Sequence, residues 1–179
     1  MSTNMSNGLL FLIAGLTPFV VYLGLGPDGT GILSAARTEQ LFAYLFFSLP
    51  LAFMMIRRIE TNYFIDSGLL ILVASMSIGM VADALGVNDN LAEISDAVTV
   101  TAYSSIMLGA AVSGIGILRT NIFQKWLSGL FTVVASIGFI VLALLTPSEL
   151  DTSIILIPLF LTFHVLLLFL GLSIIRRGD

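Results

Sequence analysis

The sequence predicts an all-α polytopic membrane protein, built as a bundle of six transmembrane helices. Three observations predict it. Of 179 residues, 58% are apolar and only 10% are charged, against roughly 25% charged in an average soluble domain. Six apolar stretches approach the ~20 residues that a span needs at 1.5 Å rise each. Six of the seven Lys and Arg residues fall in alternate connections, the bias that orients membrane helices.

The stretches run from about Gly8 to Gly26, Gln40 to Ile56, Phe64 to Leu85, Ala97 to Leu118, Trp126 to Leu145 and Ser153 to Ile175. Lipid offers no partner to a free backbone N–H or C=O, so each is expected to be a helix. Short connections make consecutive helices antiparallel neighbours, and residues 1–179 read as a single transmembrane domain. Met1 to Asn7 carry no basic residue, and the stretch that follows is long enough to span. It reads as a retained first helix, not as a cleaved signal.

Basic residues set the orientation. Arg57 and Arg58, Arg119 and Lys125, and Arg176 and Arg177 follow the even-numbered stretches. The opposite connections carry Arg37 with Asp28, Glu39, Asp89, Glu93, Asp96, Glu149 and Asp151. The basic side is expected to be cytoplasmic. That puts both termini inside and the Gly86–Asp96 and Pro147–Thr152 connections outside, in what reads as a prokaryotic cytoplasmic membrane. Tyr63 and Trp126 fall at the inner interface and Tyr22 toward the outer one. A faint repeat accompanies this alternation: Ala14, Ala74 and Ala135 hold similar places, and Ile56-Arg57-Arg58 recurs as Ile175-Arg176-Arg177. It fits either three consecutive helical hairpins or the rhythm of any six-span chain with alternating charge.

The fourth stretch has the clearest face. Thr101, Ser105, Gly109 and Ser113 recur every four residues, and the third offers Ser75, Gly79 and Asp83. Small residues at this spacing let backbones approach closely. The pattern predicts a seam of the third, fourth and fifth helices containing Ser75, Gly79, Gly109 and Ser113, with Ser128, Thr132 and Ser136 from the fifth. It makes Gly109→Leu more damaging than Leu108→Ala. A polar path lined by these hydroxyls is the other reading. In the second stretch, Phe42, Phe46, Phe47, Leu51 and Phe53 read as lipid-facing, with Tyr44, Ser48 and Ala52 inward. Pro18, Pro50 and Pro158 each remove a backbone donor and read as kinks.

The chain contains no cysteine and one histidine, His164. Thiolate chemistry, iron–sulfur clusters and three-histidine metal sites within one chain are thereby excluded. The only lysine, Lys125, stands at a membrane edge, so a mid-membrane Schiff base is excluded too. No cofactor and no metal site is expected. Met76, Met80 and Met107 read as packing residues, and the scattered basic residues make no nucleic-acid surface. Asp66 reads as an interfacial acid at a helix N-terminus, near Arg57 and Arg58. Asp83 and His164 are different, because ionisable groups inside a span are functional candidates by default. The candidate substrate- or ion-binding residues are Asp83, Tyr103, Thr101, Ser105 and His164.

These residues point to a transport-related, non-enzymatic membrane protein, either a substrate-binding subunit or an ion-coupled carrier. The alternative is a structural or assembly subunit, with a second copy or a membrane-complex partner on its small-residue faces. Length, helix number and inside termini are similar to the substrate-binding subunits of energy-coupling-factor vitamin transporters. That resemblance implies a docking face on the first helix. The family's alanine pair is not met there, since Ala14 is followed four residues on by Pro18. Ala111-Val112-Ser113-Gly114 with His164 resemble the rhomboid intramembrane hydrolases, which would make Ser113 a nucleophile and His164 its base. Ala111 stands where that motif has glycine, and Ser113 falls near the cytoplasmic end of its helix.

Overall fold

A computed structural model describes residues 3–25, 35–146 and 154–177, apart from the side chains of Leu25, Ala35, Ala36, Glu39 and Asp89. Asp28, Glu149, Asp151 and the Pro147–Thr152 connection lie outside the described residues, as do the side chains of Glu39 and Asp89. The elements are α1 (Thr3–Pro18), a π-helical segment (Phe19–Leu25), α2 (Ala35–Phe46), α3 (Ser48–Ile59), α4 (Tyr63–Leu85), α5 (Ala92–Leu118), α6 (Lys125–Leu144) and α7 (Leu156–Ile175). A short 3₁₀ turn, Asp89–Leu91, precedes α5, and the described residues form no strand. Six helices are long and apolar enough to cross a membrane: Thr3–Gly24, Gln40–Ile59, α4, α5, α6 and α7.

Prolines shape the first two spans. Pro18 ends α1, and the π-helical segment begins at the next residue. Pro50 has no N–H for the carbonyl of Phe46, and the second span breaks there into α2 and α3, with Phe47 between them. Pro158 makes no kink. It is the third residue of α7, in the first turn, where an N–H has no intrahelical partner to lose. The expected start of the fourth span also moves. α5 begins at Ala92, five residues before the first uninterrupted apolar run, and takes Glu93 and Asp96 into its opening turns. Acids are favoured there by the positive end of the helix dipole.

α5 lies between α4 and α6, while α1 packs along α7. Glycines make these approaches. A Cβ on Gly109 would stand 2.9 Å from the backbone nitrogen of Leu72 and 3.1 Å from the Gly68 carbonyl. One on Gly68 would stand 2.5 Å from the nitrogen of Ser113. The other face of α5 is as close: a Cβ on Gly114 would stand 3.1 Å from Cα of Thr132 in α6. In the α1–α7 contact, a Cβ on Gly8 would lie 2.7 Å from the Gly171 carbonyl, and one on Gly171 equally near that of Gly8. The third, fourth and fifth spans therefore meet through two faces of α5, not through one common seam.

A chain of phenylalanines fills the centre. Phe11 of α1 meets Phe53 of α3 edge-on at 5.4 Å, Phe53 lies 6.1 Å from Phe131 of α6, and Phe131 stacks on Phe163 of α7 at 5.4 Å. All four are fully buried, and such pairs contribute about 0.5–1.5 kcal/mol each beyond area burial. This reverses the reading of the second span. Phe42, Phe46 and Phe53 are buried while Tyr44 is 62% exposed. Positions 42, 46, 49, 53 and 56 share one helical face, and that face turns inward; bulk alone does not separate core from lipid contact. Leu51 is exposed, and Ser48 and Ala52 are buried. The repeat also divides: Ala14 and Ala135 are fully buried, whereas Ala74 is exposed.

One end of the bundle gathers the basic residues. Asn62 caps α4 by accepting from Ile65 N–H at 3.0 Å, and it donates to the Gly116 carbonyl at 3.1 Å. Arg57 pairs with Asp66 at 2.5 Å, both partly exposed, a contact worth about 0–1 kcal/mol. Arg119 covers the Phe64 ring at 4.2 Å. Lys125 donates to the carbonyls of Leu118 and Thr120 at 2.7 and 2.6 Å, and Arg177 donates to that of Ile122.

The α4–α5 approach gives a stability prediction. Gly109→Leu and Gly68→Ala should each lower the melting temperature in detergent more than Leu108→Ala, because each forces backbones apart at a cost of about 1–3 kcal/mol or more. Equal melting of Gly109→Leu and Leu108→Ala would remove the close contact.

Candidate functional site

At the end opposite the cations, a cavity of about 530 Å³ opens among all six spans. Its apolar wall comes from the end of the first span, through Pro18, Phe19, Tyr22 and Leu23, and from Leu156, Ile157, Phe160 and Leu161 of α7. Its polar groups come from α4 (Asp83), α5 (Ser95, Asp96, Thr99 and Tyr103) and α7 (His164). Asp83, Tyr103 and His164 therefore meet at one site, though 20 and 61 residues separate them along the chain.

Local structure explains the meeting. Ser95, buried in the first turn of α5, donates to the Ala82 carbonyl at 2.9 Å and so pins the start of α5 onto the end of α4. That contact sets Asp83 beside the face of α5 carrying residues 95, 96, 99 and 103. Asp83 is 8% exposed and lies in the last turn of α4, at the negative end of its dipole. The π-helical segment after Pro18 carries Phe19, Tyr22 and Leu23 to the cavity wall.

His164 is 1% exposed and sits among aromatic rings. Phe46 lies 5.2 Å from it, Phe163 5.6 Å edge-on, and Phe42 and Phe160 6.3 Å each. Its Nδ1 is 2.8 Å from the Phe160 carbonyl. A carbonyl can only accept, so Nδ1 carries the proton and donates. Nε2 is then an acceptor, and it is buried without a hydrogen-bond partner.

Thr101 and Ser105 do not line the cavity. Thr101 is exposed and turns its hydroxyl back to the Ala97 carbonyl at 3.2 Å. Two residues on a helix are about 200° apart at 3.6 residues per turn, so Thr101 and Ser105 face away from Thr99 and Tyr103. The expectation that hydroxyls at the depth of Tyr103 would join it holds for depth and fails for angle. The residues it missed, Ser95, Asp96 and Thr99, follow from counting back from Tyr103 by three or four; they were read as belonging to, or next to, a loop.

Of the seam residues, Gly109 and Ser113 pack on α4, as described above. Ser75 is buried with its hydroxyl on the Ile71 carbonyl at 2.7 Å. Gly79 is looser. A Cβ there would meet only Ala102 Cβ, at 3.7 Å. It borders a void of about 10 Å³ shared with Phe42, Phe46, Met76, Met80, Asp83 and Tyr103, room for about one water-sized probe. Ser113 and His164 make no pair. Ser113 Oγ is buried against α4, and His164 Nε2 is buried within the bundle, each without a hydrogen-bond partner. Among the described residues, no three His, Cys, Asp or Glu side chains are grouped to hold a metal ion.

No family model matches the sequence, and neither a curated protein nor a solved structure matches it.

The site predicts a difference between two neighbouring threonines. The chain has no native thiol, so single cysteines report cleanly. Thr99→Cys should react with a small water-soluble thiol reagent at least several-fold faster than Thr101→Cys in the purified protein. Equal rates, or a faster Thr101→Cys, would mean that the cavity is closed to water or lies on the other face of α5.

Proposed function

We propose that the chain is a six-span integral membrane protein with both termini cytoplasmic, and that the cavity binds a small solute which the protein carries across the bilayer. The observation that carries this reading is the meeting of Asp83, Tyr103 and His164, from three spans, in one cavity. A concave, mostly apolar site with a few convergent polar groups is the usual form of a small-molecule site. A purely structural subunit gives no reason to hold a carboxylate and an unpartnered imidazole nitrogen inside an apolar bundle.

Membrane insertion is supported by the outer surface. Leu16, Val20, Leu70, Ile78, Val81, Val133, Ile137, Ile140 and Leu144 are all exposed large apolar side chains on spanning helices. In water they would form an apolar surface far beyond the few hundred Å² that soluble monomers usually show. The orientation is supported by Arg57, Arg58, Arg119, Lys125, Arg176 and Arg177, which follow the ends of α3, α5 and α7 or begin α6, where basic side chains mark the cytoplasmic side. Exposed Tyr63 and Trp126 stand at that end, as aromatic rings do at membrane interfaces. On this reading the cavity opens on the outer side.

Two measurements test the proposal. An impermeant maleimide should label Asn90→Cys on intact cells and Asn121→Cys only after permeabilisation; the reverse pattern would invert the protein. Proteoliposomes should take up at least one solute from a panel of small amines, acids, alcohols and inorganic ions, above protein-free vesicles. Asp83→Asn should lower that uptake about tenfold or more without changing the melting temperature. A panel with no uptake above empty vesicles, or an unaffected Asp83→Asn, would overturn the transport reading.

A further inference from the structure

We infer that a groove between the start of α6 and the end of α7 seats the anionic headgroup of a membrane phospholipid. The inference rests on the reading of the chain as a membrane protein and is independent of the solute cavity.

The groove lies at the basic end of the bundle and encloses about 470 Å³. Arg176 and Arg177 line it, and no Asp or Glu is among the described residues that do. Arg177 donates to the Ile122 carbonyl, which ties the end of α7 to the α5–α6 connection. Arg57, Arg119 and Lys125 are engaged with Asp66, the Phe64 ring and backbone carbonyls. Arg176 is not: its guanidinium is exposed and has no hydrogen-bond or ion-pair partner among the described residues. Asn121 and Ser173 add uncharged donors to the wall. The start of α6 adds a dipole end. Its N-cap, Gln124, makes no capping bond, and the Gln124 Oε1 accepts instead from the Trp126 indole N–H at 2.5 Å. An uncapped helix N-terminus favours an anion. The last turn of α7 borders the same space with its negative end, but two full positive charges outweigh a partial charge of about half a unit.

The apolar part of the groove selects a lipid over a free anion. Leu172 and Phe169, one and two turns before Arg176, line it and are exposed. They continue through Val165 and Leu161, exposed residues three or four apart on one face of α7. A headgroup phosphate on the arginines leaves its acyl chains to run along that stripe, whereas inorganic phosphate would use the rim alone. Trp126, 62% exposed, borders the groove, as amphipathic rings do at the headgroup level. Basic pockets between spans on the cytoplasmic side are where anionic headgroups bind, and the planar guanidinium supplies paired, charge-assisted hydrogen bonds to phosphate.

Trp126 is the only tryptophan of the chain, so its fluorescence reports this groove alone. The protein is reconstituted in dioleoylphosphatidylcholine vesicles that contain either phosphatidylglycerol or phosphatidylcholine with acyl chains brominated near the headgroup, which quench a tryptophan they touch. The brominated phosphatidylglycerol should quench Trp126 with an apparent affinity about tenfold or more above that of the brominated phosphatidylcholine. Arg176→Gln should cut that preference about fivefold or more, with an unchanged melting temperature, since this side chain holds nothing in the fold. Arg58→Gln removes an exposed charge at the same end but outside the groove, and should leave the preference as it is. Millimolar inorganic phosphate at constant ionic strength should not relieve the quenching. Equal quenching by the two lipids would overturn the inference and leave the membrane reading standing. A preference that survives Arg176→Gln, or falls equally in both variants, would replace the site with a diffuse basic surface. Relief by phosphate would make the occupant a free anion and overturn the lipid. Quenching by neither lipid would take Trp126 out of the bilayer and overturn both the groove and the membrane reading.

Discussion

A polar side chain inside an apolar bundle has to find a hydrogen-bond partner, and in this chain most find one a single turn back. Thr17 donates to Ile13, Ser75 to Ile71, Ser77 to Val73, Thr132 to Ser128, Ser136 to Thr132 and Thr162 to Pro158, each at 2.7–2.8 Å to a carbonyl four residues earlier. Such back-bonding satisfies a hydroxyl without help from another helix. It frees the helix contacts to be made by backbone approach at Gly8, Gly68, Gly109, Gly114 and Gly171, the device available where lipid removes most of the hydrophobic drive between helices. Thr101, Thr132 and Ser136 turn their hydroxyls onto their own helices.

The exceptions to local satisfaction fall into two kinds. Asn7, Ser48 and Ser113 keep buried polar atoms without partners away from the large cavity. His164 obeys the rule with Nδ1 and breaks it with Nε2, and it alone of the four borders the large cavity. The imidazole is in this sense half structural. The Phe160 bond and the surrounding rings fix its plane and tautomer.

Much of this was legible in the sequence. Length, apolar content and spacing gave six helices, because a span's length and the satisfaction of its backbone leave few alternatives. Asp83, Tyr103 and His164 stood out because polar groups inside apolar runs are few. What could not be read was rotation. Phe42, Phe46 and Phe53 look the same to a composition argument whether they face lipid or core, since both are apolar. Thr101 and Ser105 share a four-residue rhythm with Gly109 and Ser113, yet a row of fourth residues drifts around the helix by about 40° per step. By the top of α5 the row has left the α4 contact. The start of α5 was misread for a different reason. Charged Glu93 and Asp96 look like loop in an apolar-run count, although their placement is what a helix N-terminus favours.

The two ends of the bundle then differ in kind. At one, Arg57, Arg119, Lys125 and Arg177 are spent on Asp66, on the Phe64 ring and on carbonyls at the end of α5 and in the α5–α6 connection. Lys125 complements the negative C-terminal end of α5, and Arg177 ties α7 to the α5–α6 connection. At the other, Asp83 sits in the last turn of α4, where the dipole disfavours a carboxylate, and lines one cavity with Tyr103 and His164. The first arrangement is complementary within the chain. The second gathers acidic and aromatic side chains around a cavity, and the proposed solute site is the reading that gives that asymmetry a use.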